Sequence, residues 1–157
     1  MATSVMLRGN LWGIPPETSL LVRTASQEFS QEPAESKTEL IVTESIVIEL
    51  LRNVETQGVL LTHPEEIYDY ILRFPDLIGV IDKVVLIART YLQDAQLCLE
   101  VYHDPESNDE HLVLYARWRV YDEQTMDRIR FVRDQYRHLL AGKSGWLILT
   151  TDFRQPV

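Results

Sequence analysis

Two carboxylates, Glu100 and Asp152, come closest to a catalytic pair in this sequence. Each lies in a segment where apolar and polar residues alternate, which is the pattern of a β-strand with one buried side. If both strands belong to one sheet, both carboxylates point to the same face. Two acidic side chains held close together can bind a divalent metal ion and activate water for hydrolysis. Glu100 and Asp152 are therefore the candidate catalytic residues.

Two histidines at the ends of an acidic turn are the candidate metal ligands. His103 and His111 flank the stretch from Asp104 to Glu110, and a hairpin that closes there brings the two imidazoles near each other. Imidazole nitrogens suit a transition metal. The Pro, Ser, Asn and Asp residues of this stretch are also those of an ordinary solvated turn, which is the interpretation that we favour. The sequence predicts no cofactor.

Three arginines share one side of a predicted helix. Arg130, Arg133 and Arg137 recur at spacings of three and four residues, so they are candidate contacts for nucleic acid or for an acidic partner. Acidic residues of the same helix balance their charge. The formal net charge of the chain is −9, whereas proteins that bind phosphate backbones carry a basic surface. We therefore do not expect a nucleic-acid partner or an anionic membrane.

The elements that must position these side chains start with an antiparallel hairpin. Apolar residues alternate with polar ones in Ala95–Asp104 and again in His111–Val120. A loop at Pro105–Glu110 makes the two apolar rows coincide, and a shift of one residue would turn one row to the wrong face. The predicted pairs are Leu97 with Trp118, Leu99 with Ala116, and Val101 with Leu114.

The face of the hairpin turned away from these apolar rows is the candidate interaction surface. Aromatic residues and Arg are enriched at protein interfaces. Glu100 is predicted to lie diagonal to Arg117 and to form an ion pair with it. The candidate interface residues are Tyr102, Tyr115, Arg117, Arg119 and Trp146.

Periodic apolar residues predict helices before and after the hairpin. In the first helix the predicted buried stripe is Val42, Ile46, Leu50, Leu51 and Val54. The predicted helices run from Glu39 to Gly58, from Pro64 to Phe74, over Asp76–Leu92 and over Asp122–Ala141, and a last strand covers Trp146–Arg154. Within Asp76–Leu92, the run Val84–Ile87 is open to an alternative assignment as a buried strand.

This order of elements predicts one α+β domain over residues 39–157, with N-terminal helices followed by a ββαβ unit. The last strand lies parallel to His111–Val120 or antiparallel to Ala95–Asp104, so the small sheet is mixed or antiparallel. Residues 1–38 are interrupted by Gly and Pro and then rich in Ser, Glu and Gln, which predicts a loosely ordered arm and linker.

Three segments resemble those of a family of small uncharacterised bacterial proteins of a cyanobacterial type. The similarity covers about Glu39 to Arg154 and leaves the N-terminal arm outside. It implies a prokaryotic cytoplasmic protein, but it implies no activity or mechanism. The segments are Leu61–Tyr68, Leu97–Asp104 and Gly145–Arg154.

The remaining features favour a cytoplasmic protein without a catalytic motif. Cys98 is the single cysteine, which excludes an internal disulfide, and no apolar run reaches the roughly 18 residues of a membrane span. The leading hypothesis is a non-enzymatic protein-interaction or regulatory module that forms a homodimer or binds another protein. The alternative is a small divalent-metal-dependent hydrolase or nuclease-like enzyme that uses the carboxylates of the sheet.

Overall fold

The computed structural model describes residues 34–107 and 109–157, so residues 1–33 of the predicted arm lie outside the described part of the chain. Helices and a small mixed sheet confirm the α+β class. The first helix begins at Ala34, earlier than predicted. The elements are α1 (Ala34–Thr56), β1 (Leu60–Leu61), α2 (Pro64–Arg73), α3 (Ile78–Tyr91), β2 (Gln96–His103), β3 (Glu110–Arg117), α4 (Thr125–Tyr136) and β4 (Leu147–Thr150), with 3-10 turns at Pro75–Leu77 and Arg137–Leu140.

The four strands form one sheet in the order β1-β2-β3-β4. β1 is parallel to β2, β2 is antiparallel to β3, and β3 is parallel to β4. The last strand thus takes the first of its two predicted positions, beside β3. β1 was not predicted, because two residues are too short to show an alternating pattern.

The register of the hairpin differs from the prediction by two residues. Leu97 lies opposite Ala116, and the predicted partner Trp118 lies beyond the end of β3. The cause is the turn, because the Asp104 N–H donates to the Asp109 carbonyl at 3.0 Å and the loop is shorter than predicted. A shift by an even number of residues keeps every side chain on its predicted face. The observed pairs include Leu99 with Leu114 and Val101 with Leu112.

The helices pack against the apolar face of the sheet, which we call the core face. Its residues are buried in one cluster with the inner sides of α1, α2, α3 and α4. α3 packs against both α1 and α4, which explains its nearly all-round apolar sequence, and Val84–Ile87 is helical. The core-face residues are Leu97, Leu99, Val101, Leu112, Leu114, Ala116, Leu147 and Leu149.

Two buried tyrosine hydroxyls hold β4 in place. The Tyr136 hydroxyl accepts the Leu149 N–H at 2.8 Å, and the Tyr70 hydroxyl accepts the Trp146 N–H at 3.0 Å. Burial raises the pKa of both tyrosines, so both remain neutral near pH 7. β4 ends at Thr150, well before the predicted Arg154.

Candidate functional site

The second face of the sheet, opposite the core face, carries the mixture of side chains that the alternation predicts. Cys98 and Val113 are buried there but do not belong to the main core cluster. The Arg117 guanidinium lies 5.6 Å from the centre of the Tyr115 ring. The second-face residues are Cys98, Glu100, Tyr102, Val113, Tyr115, Arg117, Ile148 and Thr150.

Arg117 and Asp152 form the dominant polar contact of this face. Arg117 Nε donates to both carboxylate oxygens at 3.1 and 3.2 Å, and Nη2 donates to Oδ2 at 2.7 Å. Only 6% of Arg117 is exposed. The predicted diagonal pair of Arg117 with Glu100 is wrong, because the register shift places Glu100 opposite Val113, four residues from Arg117.

The pKa directions agree with a stable ion pair. Burial by itself raises the pKa of Asp152, but hydrogen bonds from Arg117 and from the Arg154 backbone outweigh it, so the pKa is lowered. The hydrogen bond to Asp152 raises the pKa of Arg117. Both groups are therefore charged at neutral pH. Asp152 is held as a hydrogen-bonded carboxylate, which is a poor general acid.

The structure does not bring the two candidate catalytic carboxylates together. Asp152 binds Arg117 at one level of β3, whereas Glu100 lies opposite Val113 at another. Four residues at 3.3 Å each separate these levels by about 13 Å along the strand. A shared metal ion needs ligand oxygens at about 2.0 to 2.6 Å from the ion. Glu100 and Asp152 therefore cannot hold one ion between them in this arrangement.

The two candidate metal ligands lie on opposite faces of the sheet. His103 is on the core-face side, where Nε2 is 3.3 Å from Glu66 and Nδ1 is 3.6 Å from Glu110. His111 is on the second face and stacks with Tyr102 at 5.2 Å between ring centres. The prediction that the two imidazoles lie close together is therefore wrong. Within residues 34–107 and 109–157, no three His, Cys, Asp or Glu side chains form a group that could hold an ion.

The candidate interface residues do not form one exposed surface. Arg117 is buried in its ion pair, and Tyr115 is partly buried. Arg119 is exposed beyond the end of β3. Trp146 is half exposed just before β4, where it lines a cavity with Arg130 and Arg133 of α4 and with Arg137 of the 3-10 turn that follows α4. Nothing in the sequence alone connects Trp146 with those arginines, because eight residues lie between Arg137 and Trp146 and the path of the chain between them was not predicted.

An exposed apolar surface lies on α1, for which the sequence predicts a single buried stripe. Val42 and Ile46 are exposed, so their place in the predicted buried stripe is wrong. The residues of α1 that pack against the body begin with Val47. The sequence does contain an indication of this exposed surface, because apolar residues occur on every side of the helix. The exposed aliphatic residues are Leu40, Ile41, Val42, Ile46 and Ile48, at 43 to 55% exposure.

One side of α1 combines this apolar surface with charges at both ends. Ile41 and Ile48 are seven residues apart, so they project from the same side of the helix two turns apart. Lys37, one turn before Ile41, and Glu55, two turns after Ile48, lie on the same side and are exposed. We call Lys37, Leu40, Ile41, Ile48 and Glu55 the outer flank of α1.

None of the described helices combines the length and the apolar character that a bilayer crossing requires. No protein-family model matches this chain, no curated protein matches it, and no solved structure matches it. The resemblance to a bacterial family therefore stays a prediction.

Proposed function

We propose that this protein is a non-enzymatic interaction module that forms a homodimer through the outer flank of α1. The observation that carries the proposal is the group of three half-exposed aliphatic side chains on the outer flank, Leu40, Ile41 and Ile48. Single exposed apolar residues are common on protein surfaces, but a contiguous apolar patch marks an interaction site. A helix that is apolar all round is normally covered on all sides.

A second copy of the chain fits this flank when the two α1 helices are antiparallel. In the register that sets Lys37 level with Glu55 of the other copy, Ile48 of each copy lies between Ile41 and Ile48 of the other. The two-fold axis then gives two Lys37–Glu55 ion pairs, one at each end of the contact. Apolar side chains in the centre and charged pairs at the rim are the usual arrangement of a protein interface.

The contacts of Asp152 support an interaction role over the hydrolase or nuclease-like alternative. Asp152 is bound to Arg117, and Glu100 lies opposite Val113, which is about 13 Å from Arg117 along the strand. We propose that the module acts in the cytoplasm of a bacterium. The family resemblance and the single cysteine, which excludes an internal disulfide, support this location.

The test is the oligomeric state of a variant whose outer flank is charged. We expect the purified wild-type chain to sediment as a dimer at micromolar concentration, and the double variant Ile41→Glu/Ile48→Glu to sediment as a monomer. The added carboxylates would have to be buried without partners in the dimer. Because both positions are exposed in the single chain, the variant should keep its circular dichroism spectrum, and its thermal midpoint should fall only by the concentration-dependent contribution of the dimer.

A matched control introduces the same charges on other exposed apolar positions. Leu86 and Val120 are exposed and lie outside α1, so Leu86→Glu/Val120→Glu should remain dimeric. A monomeric wild-type chain at 100 μM, or dissociation of both double variants alike, would contradict the proposal.

A further inference from the structure

The half of the second face next to the hairpin turn is a surface that the proposed dimer does not use. The helices of the described chain pack on the core face. On the second face, Tyr102 of β2 is 39% exposed and stacks with His111 of β3. Glu100 lies two residues before Tyr102, Tyr115 lies diagonal to Glu100 on β3, and both are partly exposed. We call Glu100, Tyr102, His111 and Tyr115 the carboxylate–tyrosine surface.

Glu100 is a carboxylate that lies between aromatic rings. Its cross-strand partner Val113 is 3% exposed and forms an apolar floor beside it. Tyr102 follows on the same side of β2, about 6.6 Å further along the strand. Burial and the charges of Glu100 and Asp152 raise the pKa of Tyr115, so its hydroxyl is neutral near pH 7. One carboxylate is therefore bordered by two tyrosine rings.

The same face contains a complete example of a carboxylate, a ring and an arginine in contact. Arg117 binds the Asp152 carboxylate, and its guanidinium lies 5.6 Å from the centre of the Tyr115 ring. Glu100 and Tyr102 provide a second carboxylate and a second ring. In the part of the chain that the structure describes, no arginine forms an ion pair with Glu100. The component that this second group lacks is a guanidinium.

The hairpin around this surface is acidic. Residues 96–116 contain five carboxylates and no Lys or Arg. Glu110 is bound to Arg73 of α2. The remaining negative charge attracts a basic segment and repels a phosphate chain. The five carboxylates are those of Glu100, Asp104, Glu106, Asp109 and Glu110.

We infer that the carboxylate–tyrosine surface binds an arginine-containing basic segment of another protein, with one guanidinium on the Glu100 carboxylate and against the Tyr102 ring. Arg donates paired N–H groups to carboxylates and stacks on aromatic rings. Aromatic residues are also enriched at protein interfaces. Other basic residues of the segment then face the carboxylates of the hairpin turn.

A second copy of the chain fits this surface less well. A two-fold contact places the same surface of both copies face to face. The two Glu100 carboxylates and the two acidic turns would then oppose each other, and the carboxylate–tyrosine surface has no Lys or Arg to separate them. Like charges across an interface destabilise it. The occupant is therefore a basic partner and not the other copy of the homodimer.

The experiment measures fluorescence anisotropy of a labelled peptide of four Gly-Arg repeats with blocked ends, at low ionic strength where screening is weak. We expect saturable binding to the full chain and about tenfold weaker binding to Glu100→Gln, since one charge-assisted hydrogen bond contributes about that factor. The matched variant Glu123→Gln loses the same charge at an exposed position just before α4 and should bind like the wild type.

A second pair of variants tests the ring. Tyr102→Phe keeps the aromatic ring and should bind the peptide like the wild type. Tyr102→Leu removes the ring and should bind about threefold more weakly, which corresponds to a cation–π contact at an exposed site. A peptide of four Gly-Lys repeats has the same charge without the planar guanidinium, so it should bind more weakly than the Gly-Arg peptide.

Three results would each overturn the inference. They are the absence of saturable binding at millimolar peptide, equal affinity of the Glu100→Gln and Glu123→Gln variants, and equal affinity of the Tyr102→Leu and Tyr102→Phe variants. This surface does not involve α1, so the inference stands apart from the homodimer. The Ile41→Glu/Ile48→Glu variant should bind the peptide at least as tightly as the wild type, which keeps failures of the two proposals distinguishable.

Discussion

Replacing Asp152 by Asn should destabilise the fold strongly, because it leaves the charge of Arg117 without a partner. Arg117 is 6% exposed and donates three hydrogen bonds to the carboxylate. Breaking a fully buried ion pair costs about 3 to 5 kcal/mol. The Asp152 side chain is 15% exposed, and Asn keeps one acceptor oxygen, so we expect about 2 to 3 kcal/mol.

Urea unfolding followed by circular dichroism at pH 7 measures this loss. The midpoint should fall while the dependence on urea concentration stays constant, since the surface exposed on unfolding does not change. The control is Asp127→Asn, which breaks an exposed ion pair with Arg130 and should cost less than about 1 kcal/mol. The double variant Arg117→Met/Asp152→Leu removes both charges and should recover most of the lost stability.

Equal midpoints for the Asp152→Asn and Asp127→Asn variants would refute the reasoning. That result would mean that Asp152 does not stabilise the fold and that its carboxylate is available for another role. It would favour the catalytic hypothesis for Asp152, which requires a carboxylate that is not bound to Arg117.

Three further changes test other parts of the structure. Tyr136→Phe leaves a buried N–H of β4 without an acceptor, so the free energy of unfolding from urea titration should fall by about 1 to 3 kcal/mol. Gly145→Ala should cost about 1 to 3 kcal/mol in the same titration, because its Cβ would lie 2.5 Å from Leu77 Cδ1. The hydrogen bond from Arg128 lowers the pKa of Asp94 to about 2, below the unfolded value of about 3.9. The stabilisation of the fold by the Asp94–Arg128 pair is therefore present above pH 4 and lost as the pH falls towards 2. Between pH 4 and pH 2 the thermal midpoint of Asp94→Asn should fall less than that of the wild-type chain.

The faces of the hairpin could be predicted from the sequence, but its pairing could not. Alternation has a period of two, so it fixes which side of β2 and β3 is buried and allows any even shift in register. The shift depends on where the turn closes, and the acidic stretch from Asp104 to Glu110 is compatible with a loop of either length. The partner of Arg117 followed from the register, which is why Asp152 and not Glu100 forms its ion pair.

The α1 helix was predictable as a helix, whereas its buried side was not. Apolar residues occur on every side of the segment from Leu40 to Ile48, so periodicity alone cannot say which of them pack against the body. Only the positions of α2 and α3 decide this, and they leave the outer flank exposed. The strand β1 was missed for a different reason, since its two residues are held by pairing with β2 and not by a local pattern.

Exchange of the charges at the ends of the outer flank tests the homodimer most directly. Sedimentation equilibrium gives the dimer dissociation constant of the wild-type chain, of Lys37→Glu, of Glu55→Lys and of the double variant. Each single exchange replaces two ion pairs by two like-charge contacts and should weaken the dimer about tenfold. The double exchange restores both pairs and should return the dissociation constant to the wild-type value. A double variant that dissociates as readily as the single ones, or a wild-type mass that stays at the monomer value of 18.3 kDa, would contradict the antiparallel α1 dimer.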